Sequence, residues 1–225
     1  MNKTCGKIWL VLALCALCGQ NLIGQENIEL IIMPGKHWTG TMWAFLIPIQ
    51  KTPQLAAWVE TTDGQYVETL FVTGKAAKKT WLGSPQGGRP DSLPVWYAVS
   101  TSSSVDAESS ATPAGKEAFA SGTGNLESGR AYVVKLEVNH SFDYNDAWPK
   151  KAGAGDANYS GVNGQPSVIY EGKIVAGQSG KVVLEFLGQG SVNGSIGRIV
   201  PGSEGLTTAL SIIESAIVET KREKQ

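Results

Sequence analysis

The nine residues HSFDYNDAW, from His140 to Trp148, set a histidine, two aspartates, an asparagine and three aromatics almost side by side. Such residues could do three things. Asp143 and Asp146 could be the acid and base of a glycan hydrolase, but catalytic carboxyl pairs face one another about 5–9 Å apart and usually come from different strands. His140 could be a base or a metal ligand. Alternatively, Asp143, Asn145 and Asp146 could bond back to their own backbone in Asx-turns, letting a strand leave a sheet under a roof of Phe142, Tyr144 and Trp148.

The third reading has the most support. His37 is the only other histidine, and neither has a His or Cys partner at ligand spacing. NGSIG and PGSEG carry Asn193 and Pro201 where a nucleophile elbow needs glycine. Glycine-rich phosphate loops are absent from the sequence. His140 is therefore expected to be a structural histidine at a strand end, and the sequence identifies no catalytic residue.

The chain beyond this corner is of more interest. Residues 143–165 form a connection longer than the usual limit of about 12–15 residues, and such loops are commonly functional. This one carries Trp148, Tyr159 and SGVNGQPS, where Asn163-Gly164 can turn sharply and Pro166 opens the next strand. It is expected to be an ordered flap over one sheet end, joined there by residues 81–97. The candidate binding residues are Arg89, Trp96, Asp143, Asn145, Asp146, Trp148, Asn163 and Gln165. Arg89 could pair with Asp143 or Asp146. Trp58 and Trp96 lie in predicted strands and suit the core, whereas Trp81 and Trp148 lie in loops and suit contact with a ligand. DANYSG offers a weaker alternative. Asp156, Asn158, Ser160 and Gly161 match half a calcium loop, but Ser167 stands where the bidentate Glu belongs and no helices flank it.

The elements around these residues read as strands. Glycine is 27 of 225 residues, against an average near 7%, and separates short runs of period two. Residues 28–32 form a first strand and HWTGTMWAFLIPI a second, with Gly40 as a bulge. QLAAWVET and QYVETLFVTG form a hairpin across Asp63-Gly64. PVWYAVST reads as a fifth strand, and residues 102–128 as a long surface loop. RAYVVKLEVNHSF alternates cleanly, with Tyr132, Val134, Leu136 and Val138 on one face and Val133, Lys135, Glu137 and Asn139 on the other. PSVIYEGKIV and GKVVLEFLGQGS come next, joined at AGQSG. GLTTALSII has helical spacing with Ser203 or Thr207 as cap, AIVET returns as a strand, and residues 221–225 form a frayed tail. The fold class expected is mainly β: an immunoglobulin-like antiparallel β-sandwich with one short C-terminal helix, in a single domain over residues 25–225.

Lys3 and Lys7 precede an apolar run from Ile8 to Cys18, which suits an export signal and is too short to span a bilayer. Cleavage after Gly24 would remove all three cysteines, leaving neither disulfide nor thiolate, and a mature charge of −3. A lipid anchor at Cys15 or Cys18 ranks second, since each follows Leu where a small residue is wanted. The acidic balance and scattered lysines exclude a nucleic-acid footprint, and no transmembrane span is expected in the mature chain.

Five blocks in order, LAAWVETTDGQYVETLFVTGKAAKKTWLG, RPDSLPVWYA, ATP, VNHSFDYNDAW and YSGVNGQPSVIYEG, resemble the family of predicted bacterial periplasmic proteins catalogued as domain of unknown function 2271. The resemblance spans residues 27–220. It implies a periplasmic or cell-envelope address and no catalytic residues. The Ser/Ala-rich stretch 100–115 departs from it. The DGQYVETL hairpin is also similar to one in immunoglobulin-like domains of flagellar hook-capping proteins, which supports the sandwich and implies no flagellar role. The sequence thus leads to an exported, non-enzymatic β-sandwich module of the periplasm or cell envelope. It would take no cofactor and would bind a protein, glycan or small ligand, or serve a structural role. The alternatives are a glycan-acting hydrolase using Asp143 and Asp146, or a calcium-stabilised scaffold.

Overall fold

The computed structural model describes residues 23–44, 46–74, 91–100, 109–110, 118–192 and 197–221. Most of the expected signal segment, Trp81, Arg89 and the 221–225 tail beyond Lys221 lie outside them.

Two sheets stack face to face. The first has four strands, in the order β10 (Gly180–Val183), β12 (Ile213–Lys221), β1 (Ile23–Pro34), β7 (Ala118–Glu127). The second has six: β11 (Glu185–Gln189), β9 (Val168–Val175), β8 (Ala131–Asn139), β4 (Gln54–Thr61), β5 (Tyr66–Thr73), β6 (Ser109–Ser110). All pairs are antiparallel except β5 with β6. A separate hairpin joins β2 (Gly40–Ala44) to β3 (Ile47–Lys51).

Period-two patterning produces this arrangement. Ile28, Leu30 and Ile32 of β1 and Ala216 and Val218 of β12 bury against Leu55, Ala57 and Val59 of β4 and Tyr132, Val134, Leu136 and Val138 of β8. Each fully buried Leu or Ile contributes roughly 1.5–3 kcal/mol. The β4–β5 hairpin turns at Asp63-Gly64 as expected, with Gly64 at φ 85°. The alternate residues Ala56, Trp58, Val72 and Ile169 face away from the first sheet and meet Leu93, Val95 and Trp96 in a smaller second core.

Five expectations about elements change. PVWYAVST is not a strand: Pro94–Ser100 is a helix, α1. Proline suits a helical first turn, and the N–H groups of Val95 and Trp96 donate to the buried Glu137 carboxylate at 3.3 and 2.8 Å. That cap comes from β8, so no local signal announces it. HWTGTMWAFLIPI turns back on itself between Ala44 and Ile47 and makes β2 and β3. The expected loop 102–128 contains β6 and all of β7. There Ala118, Ala120 and Gly122 stand opposite the bulky Ile32, Leu30 and Ile28 of β1, and a Cβ on Gly124 would lie 2.5 Å from Glu68 Oε1. At Gly124 the absence of a side chain permits this close approach. GKVVLEFLGQGS divides at the buried Leu184. β10 pairs with β12 in the first sheet, and β11 pairs with β9 in the second.

The C-terminal helix shrinks to a 3-10 turn, Thr208–Ser211, because β12 already begins at Ile213. Thr207 makes no side-chain cap there.

Candidate functional site

The corner starts where β8 ends. His140, just past the end of β8, is 5% exposed. Its Nδ1–H donates to the Ser141 carbonyl at 3.2 Å, which leaves Nε2 as the bare nitrogen, buried and unpartnered beside Gly40. Burial, reinforced by the Lys51 cation, holds its pKa below the ordinary histidine value. Lys51 Nζ donates to the same Ser141 carbonyl at 2.8 Å and lies 5.7 Å from the centre of the Phe142 ring. Burial lowers the Lys51 pKa, and Asp143 partly offsets that. Phe142 is the one described non-glycine residue at positive φ, 62°, a conformation that bulky side chains adopt only under constraint. The constraint is visible: the Phe142 and Asp143 N–H groups donate to the Val162 and Asn163 carbonyls at 2.7 and 2.9 Å, and Gln165 N–H returns to Asp143 O at 2.8 Å.

Behind that turn lies a polar knot centred on Gln165, which is 1% exposed. Its Nε2 donates to Asp143 Oδ2 at 2.8 Å and to Thr208 Oγ1. Thr208 Oγ1 donates to Asp143 Oδ1 at 2.6 Å. The Gln165 Oε1 accepts from Thr207 N–H at 2.6 Å and from Thr207 Oγ1 at 3.2 Å. The amide therefore supplies the N-terminal contact of the 3-10 turn that a local cap was expected to make. Both Asp143 oxygens are engaged in this knot.

The other candidate residues have similar duties. Asn145 donates to Gly205 O and Thr207 Oγ1 at 2.8 and 3.1 Å and accepts from Trp148 N–H at 3.0 Å. Trp148 packs over Gly205, where a Cβ would come within 2.9 Å of its ring. Asn163, fully buried, donates to the Asp91 carbonyl and carboxylate at 2.6 and 2.9 Å. The described end of the 81–97 segment and the flap therefore do meet, through Asp91 and Asn163. Trp96 lies apart in the second core, with Nε1–H donating to Thr69 Oγ1 at 2.9 Å. Asp146 is exposed. Arg89, and with it the Arg89–Asp143 or Asp146 pairing, falls outside the described residues.

In the half calcium loop, Asp156 accepts from Gly153 N–H at 2.6 Å, and Ser160 is buried with no partner for its hydroxyl. Among the described residues no group of three His, Cys, Asp or Glu side chains is placed to hold a metal ion.

Sequence reasoning missed Glu137, Lys51 and Thr208 as site residues and read Thr207 only as a helix cap. Glu137 is fully buried; besides the α1 N–H groups it accepts from Ser167 Oγ at 2.6 Å. Burial outweighs these donors and pushes its pKa up to about 7. Gly190 closes over it, and a Cβ there would stand 2.3 Å from Ser167 Oγ and 3.2 Å from Glu137 Oε1. The polar parity of β8 located Glu137 on the outer face, but its partners lie 30 to 42 residues away, beyond any local pattern.

The fold and this corner define a mainly β protein of two packed sheets, with a long flap knotted to the segment before the last strand. Compared with family models, curated proteins and solved structures, the chain matches none.

Proposed function

We propose that this chain is an exported, non-enzymatic module of the bacterial periplasm or cell envelope, with an immunoglobulin-like sandwich that presents the flap to a protein, glycan or small ligand. One observation carries the reading. Asp143, one of the two carboxylates that could have formed an acid–base pair, has both oxygens bonded to Gln165 and to Thr208 of the C-terminal segment, while Asp146 is exposed. The flap and its root expose apolar groups among charged ones: Phe142 and Tyr159 are each 40% exposed and Val162 38%, alongside exposed Asp146, Lys150, Lys151 and Asp156. Aromatic rings with open faces suit sugar stacking or a partner's apolar anchor. The ordered sequence blocks that resemble the periplasmic family support the address, and that membership is part of the proposal.

Cell fractionation and then pull-down from the native envelope test address and partner together. Phe142→Ser should abolish capture of any partner that the wild-type chain retains. The hydrolase alternative is tested by assaying release of reducing sugar from envelope glycans. Hydrolysis by the wild-type chain that Asp146→Asn, at an exposed position, abolishes with the melting temperature unchanged would replace this reading.

A further inference from the structure

Of the three aromatics at the corner, two are packed. Tyr144 donates its hydroxyl to the Gly161 carbonyl at 2.7 Å, and the Trp148 ring lies on Gly205. Phe142 is the exception. It occupies the left-handed region at φ 62° and still leaves two fifths of its surface in water. That conformation is costly for a bulky side chain, whereas Gly or Asn adopts it readily. Packing explains a strained residue in a core, but this ring meets solvent, with Lys51 over it at 5.7 Å. Strain kept at an exposed position points to a function that needs the side chain. The ring is also held from both sides. Lys51 Nζ and Gln54 Nε2 donate to the Ser141 carbonyl and hydroxyl at 2.8 and 3.3 Å. From the flap, the Val162 carbonyl accepts the Phe142 N–H at 2.7 Å.

The same bond places Val162 beside Phe142. Tyr159 stands three residues earlier, its hydroxyl 3.9 Å from where a Cβ on Gly161 would be. We infer that Phe142 and Tyr159 form a stacking site for the pyranose rings of an uncharged glycan. The inference rests on the proposal that the flap meets a ligand, and it names that ligand and the rings that hold it. Area decides against a protein partner. Rings that bury 150–250 Å² when fully covered leave roughly 60–100 Å² each at two fifths exposure. A stable protein interface covers about 800 Å² on each partner, with few charges at its centre. Two part-exposed rings and a valine fall well short of that and suit a few sugar rings, whose C–H faces stack on aromatic ones. Charge decides against an ionic ligand. The exposed charges of the flap are Asp146 and Asp156 against Lys150 and Lys151, and they cancel. Those side chains and the Tyr159 hydroxyl supply donors and acceptors for sugar hydroxyls. A ring fixed in place before binding loses little freedom on binding.

The test is an array of immobilised pyranose oligosaccharides, neutral and anionic, probed with the full mature chain. The wild-type chain should bind neutral spots and keep doing so as salt is raised, because ring stacking is not screened. Phe142→Asn should lower the signal about tenfold or more. Its melting temperature should stay unchanged or rise, since Asn relieves the strain at positive φ. Should Phe142→Asn fail to fold, Tyr159→Ala carries the test, with a similar loss expected, while Tyr159→Phe keeps the ring and most of the signal. A wild-type chain that binds no spot overturns the inference. So does binding confined to anionic spots and abolished by salt, or a Phe142→Asn variant that binds as the wild type does. A protein retained from the envelope by the wild-type chain and lost with Phe142→Asn, beside an empty array, removes the glycan and leaves the flap reading standing. An empty array with no envelope partner removes both.

Discussion

Burial resists the charged form of both Glu137 and His140, and the two pull in opposite directions with pH. Glu137 has a folded pKa of about 7 against 4.5 for the free side chain. Between those values the folded chain binds more protons than the unfolded one, so this residue's contribution is fullest below about pH 4.5 and is lost as pH rises towards about 7. His140 has a folded pKa below its usual 6.5. There the unfolded chain binds more protons, and stability falls as pH drops below 6.5. Melting temperatures measured from pH 4 to 8 should separate the two. Glu137→Gln should flatten the loss on the rising side, and His140→Gln should flatten the loss on the acid side. If Glu137→Gln keeps the wild-type slope between pH 5 and 7, the buried carboxyl is not its source. Glu137→Ala removes the acceptor from two helix N–H groups and one hydroxyl, and should cost about 3 kcal/mol or more in urea unfolding.

At the scale of elements, the flap depends on backbone shape at a single residue. Gly164 has φ 79°, and its α-carbon presses on Asp143 so closely that a Cβ would stand 2.3 Å from the Asp143 carbonyl carbon. Gly164→Ala should therefore destabilise by roughly 2–4 kcal/mol, adding strain at positive φ to a clash with backbone that cannot move aside. Ala at Gly129, whose φ is 82° with no atom near its absent Cβ, should cost only the strain, about 1 kcal/mol. Thermal melts of the two variants, compared side by side, measure the difference. The Asn163-Gly164 turn was legible because its residue types state their own conformation. The β4–β5 hairpin and the two faces of β8 were legible for the same reason. Helix α1 was not: a short apolar run is ambiguous between strand and helix, and the residue that decides it, Glu137, arrives from another strand. Strand β7 was hidden because small residues read as loop until bulky partners on β1 stand opposite them. Of the candidate site, residue types alone placed Asp143, Asn163 and Gln165 together at one end. Their occupation by Thr207, Thr208 and Asp91 depends on which chain segments the fold brings alongside.

For the whole molecule, the question is whether the flap and the sandwich unfold as one body. The chain leaves the second sheet after β9, enters the first as β10, and returns as β11. At the crossing, Leu184 N–H donates to Ala216 O at 2.8 Å. Strand β12 stands between β10 and β1, and the segment just before it carries the Thr207 and Thr208 hydroxyls that engage Gln165 and Asp143. The polar knot thus links the flap to the strand on which the first sheet depends. A perturbation of the knot should reach the common core. Gln165→Leu leaves the Asp143 carboxylate short of a donor in a half-buried setting, with an expected cost of roughly 1–3 kcal/mol. Far-ultraviolet circular dichroism and tryptophan fluorescence should report the lowered midpoint together, as a single transition does. Were the tryptophan signal of the variant to change at a lower temperature than the sheet signal, the flap would be a separate unit resting on the sandwich. If the two signals do move together, replacing Asp143 as well should add little, since both side chains serve one network and their effects should not sum.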